Sequence, residues 1–138
     1  MSPLPTRPDR PPDAAIDLPT AFNQATLYRL TGDRNPLHID AETAQAAGFE
    51  RPILHGLATM GVIGRALVHL ACAGDPRRLA AMRTRFTSPV YPGDTIRAQL
   101  WEEGGAFLYR ATAVERAVHV AEGVAERFGA AGALPEEG

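Results

Sequence analysis

The sequence contains one cysteine and no excess of basic residues. Cys72 alone excludes an intrachain disulfide and a multi-cysteine metal site, so a reducing, cytoplasmic location is expected. Fourteen basic against sixteen acidic side chains give a formal charge of −2, which disfavours a nucleic-acid partner. The first residues lack an apolar signal core, and Arg65 and His69 interrupt the longest apolar run, residues 57–73. We therefore expect neither export nor a membrane span.

The remaining composition is that of one folded domain. The chain has 138 residues, of which 45% are apolar and 22% charged, as in globular proteins. A chain of this length buries roughly 70% of its unfolded surface in a single core. Residues 1–19 contain six prolines and are predicted to form an extended arm outside the core. Residues 20–130 are predicted to form the domain and residues 131–138 a C-terminal tail.

Two short helices are predicted in the first half of the domain. Apolar residues recur at three- and four-residue spacing over residues 22–30, with Thr20 as a candidate N-cap and Gly32 as a stop. Asp40 is the candidate N-cap of a second helix, which Gly48 ends.

A third, longer helix is predicted within residues 55–74, which carry apolar or small residues on nearly every face. Such a helix belongs inside the protein. Gly61 and Gly64 each weaken a helix by about 1 kcal/mol relative to alanine, which suggests that another backbone approaches closely there. We expect a sheet wrapped around this helix.

Four strands are predicted downstream, because polar and apolar residues partly alternate there. They cover residues 79–90, 94–101, 106–115 and 117–128, and turns are predicted at Pro92-Gly93, at Gly104-Gly105 and near Arg116. A long apolar helix followed by an antiparallel meander predicts an α+β fold in which the sheet curls over the helix.

The stretch Gly32-Asp33-Arg34-Asn35-Pro36-Leu37-His38 is the main candidate for chemistry. Pro36 fixes its own φ and favours extended conformations of Asn35, so the geometry between Asp33 and His38 has little freedom. A carboxylate beside an imidazole can hold a water and transfer its proton, as hydration or dehydration requires. Asn35 is a candidate donor to Asp33. The structural alternative is an ordinary turn capped by Asp33 and Asn35.

The start of the long helix is the second candidate. Its first N–H groups lack helical partners and carry a partial positive charge, and Gly56 has no Cβ to obstruct a substrate carbonyl. We therefore interpret the Gly56 N–H as a candidate oxyanion hole. For the neighbouring His55 we favour a packing role.

These residues carry a family resemblance. The stretch YRLTGDRNPLHIDAETA resembles the motif of hydratase 2 enzymes, the MaoC-like (R)-specific enoyl-CoA hydratases of the hotdog fold. The resemblance extends through AGFERPILHGL, RFTSPVYPGDTI and LWEEG, and so covers roughly residues 22–104. Ala41 and Thr43 depart from the proline and large aromatic that the family often has, which leaves the acyl-chain preference open.

The resemblance implies a single hotdog domain that acts on an acyl thioester of coenzyme A or acyl carrier protein. It assigns water activation to Asp33 and His38, carbonyl binding to the Gly56 N–H, and support of the loop to Asn35 and Pro36. The expected reaction is (R)-specific hydration of a trans-2-enoyl thioester, or the reverse dehydration, without a cofactor or metal. It also implies a homodimer with a continuous sheet, or a higher oligomer.

Two other functions remain open. Many hotdog thioesterases use an acid on the central helix, whereas residues 57–74 contain no Asp or Glu. The second alternative is a catalytically idle subunit that binds acyl thioesters, which the presence of both Asp33 and His38 disfavours.

Several other side chains have both a structural and a functional interpretation. The candidates for coenzyme A phosphates are Arg77, Arg78, Arg83 and Arg85, with a solvated strand face or ion pairs to Glu102 or Glu103 as the equal alternative. Trp101, Tyr109 and Cys72 are interpreted as packing residues.

Overall fold

A five-stranded antiparallel sheet forms the core of the computed structural model, which describes residues 2–129. Its strands are β1 (Ala14–Pro19), β2 (Leu79–Phe86), β3 (Thr95–Glu103), β4 (Ala106–Ala113) and β5 (Val118–Arg127), in the order β1-β3-β4-β5-β2. The helices are α1 (Gln24–Tyr28), α2 (Ala41–Ala46) and α3 (Gly56–Ala71). The predicted antiparallel sheet and long helix are confirmed. The predicted tail, 131–138, lies outside the described residues.

The sheet curves around one face of α3. This helix contacts both edge strands, β1 and β2, as well as β3, which a flat sheet of five strands would not allow. Residues of β4 and β5 complete the core beneath it, among them Tyr109, Ala111 and Val120. The predicted wrapping of sheet around helix therefore agrees with the structure.

Strand β1 was missed by the sequence analysis. It pairs with β3 over its whole length, from Ala14 opposite Leu100 to Pro19 opposite Thr95, and the side chain of Leu18 is buried. Its residues therefore belong to the sheet, although we predicted residues 1–19 as an arm outside the core. Residues 8–13 do lie outside the sheet in extended or bent conformation, and Arg10 accepts a hydrogen bond from Trp101 Nε1 through its carbonyl oxygen (2.8 Å).

Helix α3 is only partly enclosed, which corrects the prediction of burial on every face. One side packs into the core through residues such as Ile63 and Leu67, which are fully buried. The opposite side is exposed at every fourth residue, namely Leu57, Gly61, Arg65 and His69. The inference from Gly61 is also wrong, since no atom lies within 4 Å of a Cβ placed there. A Cβ placed on Gly64 would lie 3.4 Å from the Met82 sulfur, which belongs to a side chain and not to a backbone.

The two short helices agree only in part with their predicted caps. Asp40 caps α2 as predicted, because its carboxylate accepts a hydrogen bond from the Thr43 N–H at 2.9 Å. Helix α1 begins after Asn23 instead of Thr20. The Thr20 hydroxyl instead joins the end of β1 to the β2–β3 connection, donating to the Asp94 carbonyl oxygen (2.7 Å) and accepting from the Gly93 N–H (2.9 Å).

The meander prediction holds for β3, β4 and β5 but not for β2, which crosses over to pair with β5.

Three side chains interpreted as packing residues are at most 2% exposed, in agreement with that prediction: Trp101, Tyr109 and Cys72. Burial also raises the pKa of the Cys72 thiol. Within residues 2–129, no helix combines the length and apolarity that crossing a bilayer demands.

Candidate active site

The loop that follows α1 has the stiff local geometry that its sequence predicts. Gly32 adopts a φ of 125°, which L-residues rarely adopt, and the chain then forms a 3₁₀ turn over Pro36–His38. The Asn35 side chain accepts a hydrogen bond from the Leu37 N–H (3.0 Å). Asp33 Oδ1 accepts from the Asn35 backbone N–H (3.3 Å), so the predicted contact comes from the Asn35 backbone and not from its side chain.

The half-buried His38 ring is held by one edge. Its Nδ1 lies 2.8 Å from the Ile53 carbonyl oxygen, which can only accept a hydrogen bond. Nδ1 must therefore carry the proton in the neutral ring, and Nε2 keeps its lone pair. This is the tautomer in which Nε2 can act as a base.

His55 is buried, in agreement with its predicted packing role, and it contacts both His38 and Asp33. The two imidazole rings stack with their centroids 3.8 Å apart and their planes 25° apart. His55 Nε2 lies 3.3 Å from the Asp33 carbonyl oxygen, and the Tyr28 ring lies 4.6 Å from the His55 ring. His55 is 1% exposed, and burial, followed by the charge of His38, lowers the pKa of its imidazole.

Asp33, His38 and His55 form one cluster. An Asp33 carboxylate oxygen and one ring nitrogen of each histidine lie within 4.8 Å of one another, the only such group among residues 2–129. Two imidazoles and a carboxylate are also donors that a transition metal accepts. Each histidine, however, already directs one nitrogen at a backbone carbonyl oxygen. A carboxylate and an imidazole at this separation can instead share a water, as the sequence analysis predicts.

The start of α3 lies directly beside this cluster. The helix begins at Gly56, the residue after His55, and His55 makes no side-chain capping bond to the first turn. The first N–H groups therefore lack both a helical acceptor and a side-chain cap from that residue. A Cβ on Gly56 would lie 3.2 Å from the Phe86 ring, so a side chain at residue 56 would be crowded by this ring.

Two clefts are lined by residues of this arrangement. A mostly apolar cleft of about 320 Å³ is lined by Phe49, Ile53, Gly56, Phe86 and Val90, among others. A smaller cleft of about 210 Å³ is lined by residues that include His38, Ile39, Phe22 and Arg51.

Arg51 is a residue of the site that the sequence did not indicate. Its guanidinium donates to the Pro92 carbonyl oxygen (3.1 Å) and lies 4.6 Å from the Tyr91 ring centroid, and these contacts link residues distant in sequence.

Three of the four arginines considered for phosphate binding have other side-chain contacts. Arg85 pairs with Glu122 and Arg77 with Asp75, while Arg83 donates to the Ser2 carbonyl oxygen (3.2 Å). Ion pairs were therefore the better interpretation for Arg77 and Arg85, although their partners are not the predicted Glu102 and Glu103.

Comparison with known protein sequences identifies the family. The chain matches the model of the MaoC like domain over residues 3–124. It is 52% identical over 108 residues to 3-hydroxyacyl-thioester dehydratase Y of Mycobacterium tuberculosis, covering 77% of this chain and 37% of that protein. It is 41% identical over 127 residues to the peroxisomal enoyl-CoA hydratase 2 of Arabidopsis thaliana, covering 92% of this chain and 41% of that protein. The chain thus spans less than half the length of these relatives.

Solved structures agree with this assignment. The MaoC-like dehydratase of Phytophthora capsici is 42% identical, with a TM-score of 0.90 over 96% of this chain and 46% of that one. The peroxisomal multifunctional enzyme type 2 of Drosophila melanogaster is also 42% identical, with a TM-score of 0.86 over 91% of this chain and 24% of that one. The predicted hotdog fold is confirmed by these likenesses. The chain belongs to the MaoC-like domain family.

Proposed function

We propose that the protein is an (R)-specific enoyl-thioester hydratase, a hydro-lyase that adds water to a trans-2-enoyl thioester or removes it from an (R)-3-hydroxyacyl thioester. The observation that carries the proposal is the cluster of Asp33, His38 and His55 beside the open end of α3. Relatives named enoyl-CoA hydratase 2 and 3-hydroxyacyl-thioester dehydratase support the same reaction.

In the proposed mechanism, Asp33 and His38 activate the water. The Nδ1–H bond to Ile53 leaves His38 Nε2 with a lone pair, and the Asp33 carboxylate can accept the second hydrogen of the same water. As the water oxygen bonds to the β-carbon, one of the two groups takes its proton. The enolate is then protonated at the α-carbon from the same side. Because they share one water, the two groups act as a unit.

In the proposed mechanism, the Gly56 N–H donates a hydrogen bond to the thioester carbonyl oxygen. Negative charge develops on this oxygen as the enolate forms, and the first turn of α3 offers an uncapped N–H and the positive end of a helix dipole. The cleft that contains Gly56 and Phe86 is mostly apolar, as binding of an acyl chain requires. The carbonyl and the attacked β-carbon would thus lie between Gly56 and His38.

The reaction as proposed requires no metal or other cofactor. The thioester is polarised by a backbone N–H, and the water is activated by side chains. We therefore expect turnover to be unchanged after prolonged treatment with EDTA. Loss of activity on chelation, with recovery on adding one divalent metal, would assign the Asp33–His38–His55 cluster to metal binding instead.

A homodimer is proposed as the active form. Large apolar side chains are exposed around the site, including Phe22, Leu27, Leu57 and Phe86, and β2 is an edge strand with an unpaired side. Pairing of β2 with its copy would produce the continuous sheet expected from the family resemblance. Sedimentation analysis tests this directly, and a monomer at micromolar concentration would contradict it.

The substrate is proposed to be a thioester of coenzyme A or of an acyl carrier protein, used in the cytoplasm. The decisive experiment is a hydration assay over a series of trans-2-enoyl-CoA chain lengths, with chiral analysis of the 3-hydroxyacyl product and a parallel measurement of free thiol. We expect the (R)-product and no thiol release. Thiol release would favour a thioesterase, and binding without turnover would favour an idle acyl-binding subunit.

A further inference from the structure

We propose that His55 is a positioning residue of the active site: its ring holds the His38 imidazole by stacking, and its Nε2–H holds the backbone of Asp33. This inference rests on the proposed hydratase function. It assigns to His55 a role beyond the packing predicted from the sequence. The claim depends on three contacts of His55 that meet at one buried ring.

The first contact anchors the loop of Asp33. The Asp33 side chain is exposed, and its carboxylate accepts one long hydrogen bond, from the Asn35 N–H at 3.3 Å. The bond from His55 Nε2 to the Asp33 carbonyl oxygen (3.3 Å) ties this loop to the start of α3, 22 residues away in sequence. It therefore limits how far the carboxylate can move from the helix end.

The second contact completes the restraint of His38. The bond from Nδ1 to Ile53 holds one edge of the His38 ring, but rotation about that bond would still swing Nε2. The His55 ring is stacked on the His38 ring at 3.8 Å, with the planes 25° apart, and it blocks this rotation because a turned His38 ring would collide with it. The hydrogen bond at Nδ1 and the stacked His55 ring together leave one direction for the His38 Nε2 lone pair.

The third contact holds His55 itself in place. The Tyr28 ring of α1 lies 4.6 Å from its ring, tilted by 49°. Asp33, His38 and Tyr28 are the titratable groups in contact with this imidazole. His55 Nδ1 is buried without a hydrogen-bond partner, which suits a lone pair and not a second N–H.

The protonation state of His55 matters for the reaction. Burial lowers the pKa of His55, and a positive charge on His38 lowers it further. When His38 takes a proton from the water, His55 therefore stays neutral, and no second imidazolium cation forms beside the first. A neutral aromatic ring beside a cationic one is a favourable arrangement.

Two substitutions separate the two functions of His55. His55→Phe keeps a flat ring of similar size but removes the Nε2–H donor. His55→Gln places an amide N–H close to the position of Nε2 but removes the stacking ring. His69→Gln, on the exposed face of α3, is the matched control for the histidine-to-glutamine change.

Steady-state kinetics on crotonyl-CoA are the first test. We expect kcat to fall about 10-fold or more in both His55 variants, with KM changed by less than about threefold, because orientation and not binding is lost. His69→Gln should keep the wild-type kcat. A wild-type kcat in either folded His55 variant would overturn the proposal.

A double-mutant cycle separates positioning from general structural damage. In a His38→Ala background, His55→Gln should lower kcat by less than twofold further, because there is no imidazole left to orient. An undiminished effect of His55→Gln in that background would show that it acts through the fold alone, and would overturn the proposal.

Nuclear magnetic resonance provides a readout that does not need turnover. With ¹⁵N-labelled histidine, His38 should show a single Nδ1–H tautomer in the wild type and a mixture or exchange broadening in His55→Gln. An unchanged His38 spectrum in the variant would contradict the positioning role. If the wild type lacks hydratase activity, the proposed function fails, but this spectrum still decides whether His55 orients His38.

Discussion

Tyr109 and Gly123 face each other on neighbouring strands, and the tyrosine phenol occupies the space where a side chain on residue 123 would lie. The Tyr109 hydroxyl donates to the Arg83 carbonyl oxygen (3.0 Å) and lies 2.6 Å from the Thr84 hydroxyl. Three strands, β2, β4 and β5, are thus joined above a residue without a Cβ. Burial raises the pKa of the Tyr109 hydroxyl, which keeps it protonated as a donor.

We predict that Gly123→Ala destabilises the protein by about 3 kcal/mol, because the added methyl group would overlap the Arg83 carbonyl and the Tyr109 ring. A backbone carbonyl within a sheet cannot move away as a flexible side chain can. Gly61→Ala is the matched control. It lies on the exposed face of α3 with no neighbour near its Cβ and should stabilise by roughly 0.5–1 kcal/mol. Urea denaturation of both variants measures the difference, and equal effects would contradict the packing described for Gly123.

The acid and base of the proposed mechanism are tested by Asp33→Asn and His38→Ala. Each should lower kcat for hydration of crotonyl-CoA by about 10² or more, while the midpoint of thermal unfolding stays close to that of the wild type. Asp17→Asn, on the surface of β1, is the control for the aspartate change and should retain full turnover. Full activity in either Asp33→Asn or His38→Ala would refute the assignment.

Gly56→Ala should lower kcat through obstruction of the helix end. The new methyl group would lie 3.2 Å from the Phe86 ring and would stand beside the proposed carbonyl position. Phe86→Leu relieves the first effect but not the second. If the carbonyl binds at Gly56, the double variant should regain stability but not turnover. Recovery of kcat in the double variant would show that the glycine serves packing alone.

The stability of the protein should fall as the pH is lowered from about 7.5 to 5.5. The burial of His55 in the folded state holds the pKa of its imidazole below the ordinary value of 6.5, so the unfolded chain binds more protons in this range. The free energy of unfolding then falls with decreasing pH, by at most about 1.4 kcal/mol per pH unit for each proton. His55→Phe should show a shallower fall in urea denaturation. A slope equal to that of the wild type would contradict a buried neutral His55.

Local signals predicted the parts of the fold that local chemistry controls. Asp40 caps α2, and Gly104 and Gly105 form the tight turn between β3 and β4 with positive φ, as their residue types indicate. The six prolines of residues 1–19 hid β1, although Ile16 and Leu18 alternate with Asp17 and Pro19 as in a strand. An edge strand tolerates a terminal proline, so the composition of the segment was a poor guide.

The candidate site was predictable where its residues are close in sequence. The Asp33–His38 loop is a local motif, and the structure brings the two side chains together. The contacts of His55 join residues 17 and 22 positions apart, and no periodicity indicates such stacking. The close backbone contact predicted at Gly61 is absent from the structure, because the sequence does not reveal which side of α3 meets the sheet.

The pairing of β1 with β3 determines where the N-terminus of a shortened expression fragment can be placed. An expression fragment starting at residue 20 would strip β3 of its neighbour and leave a row of backbone donors and acceptors open to solvent. Such a fragment would tend to associate edge to edge and precipitate. A fragment starting near residue 10 would keep the Arg10 contact with Trp101 and the full sheet.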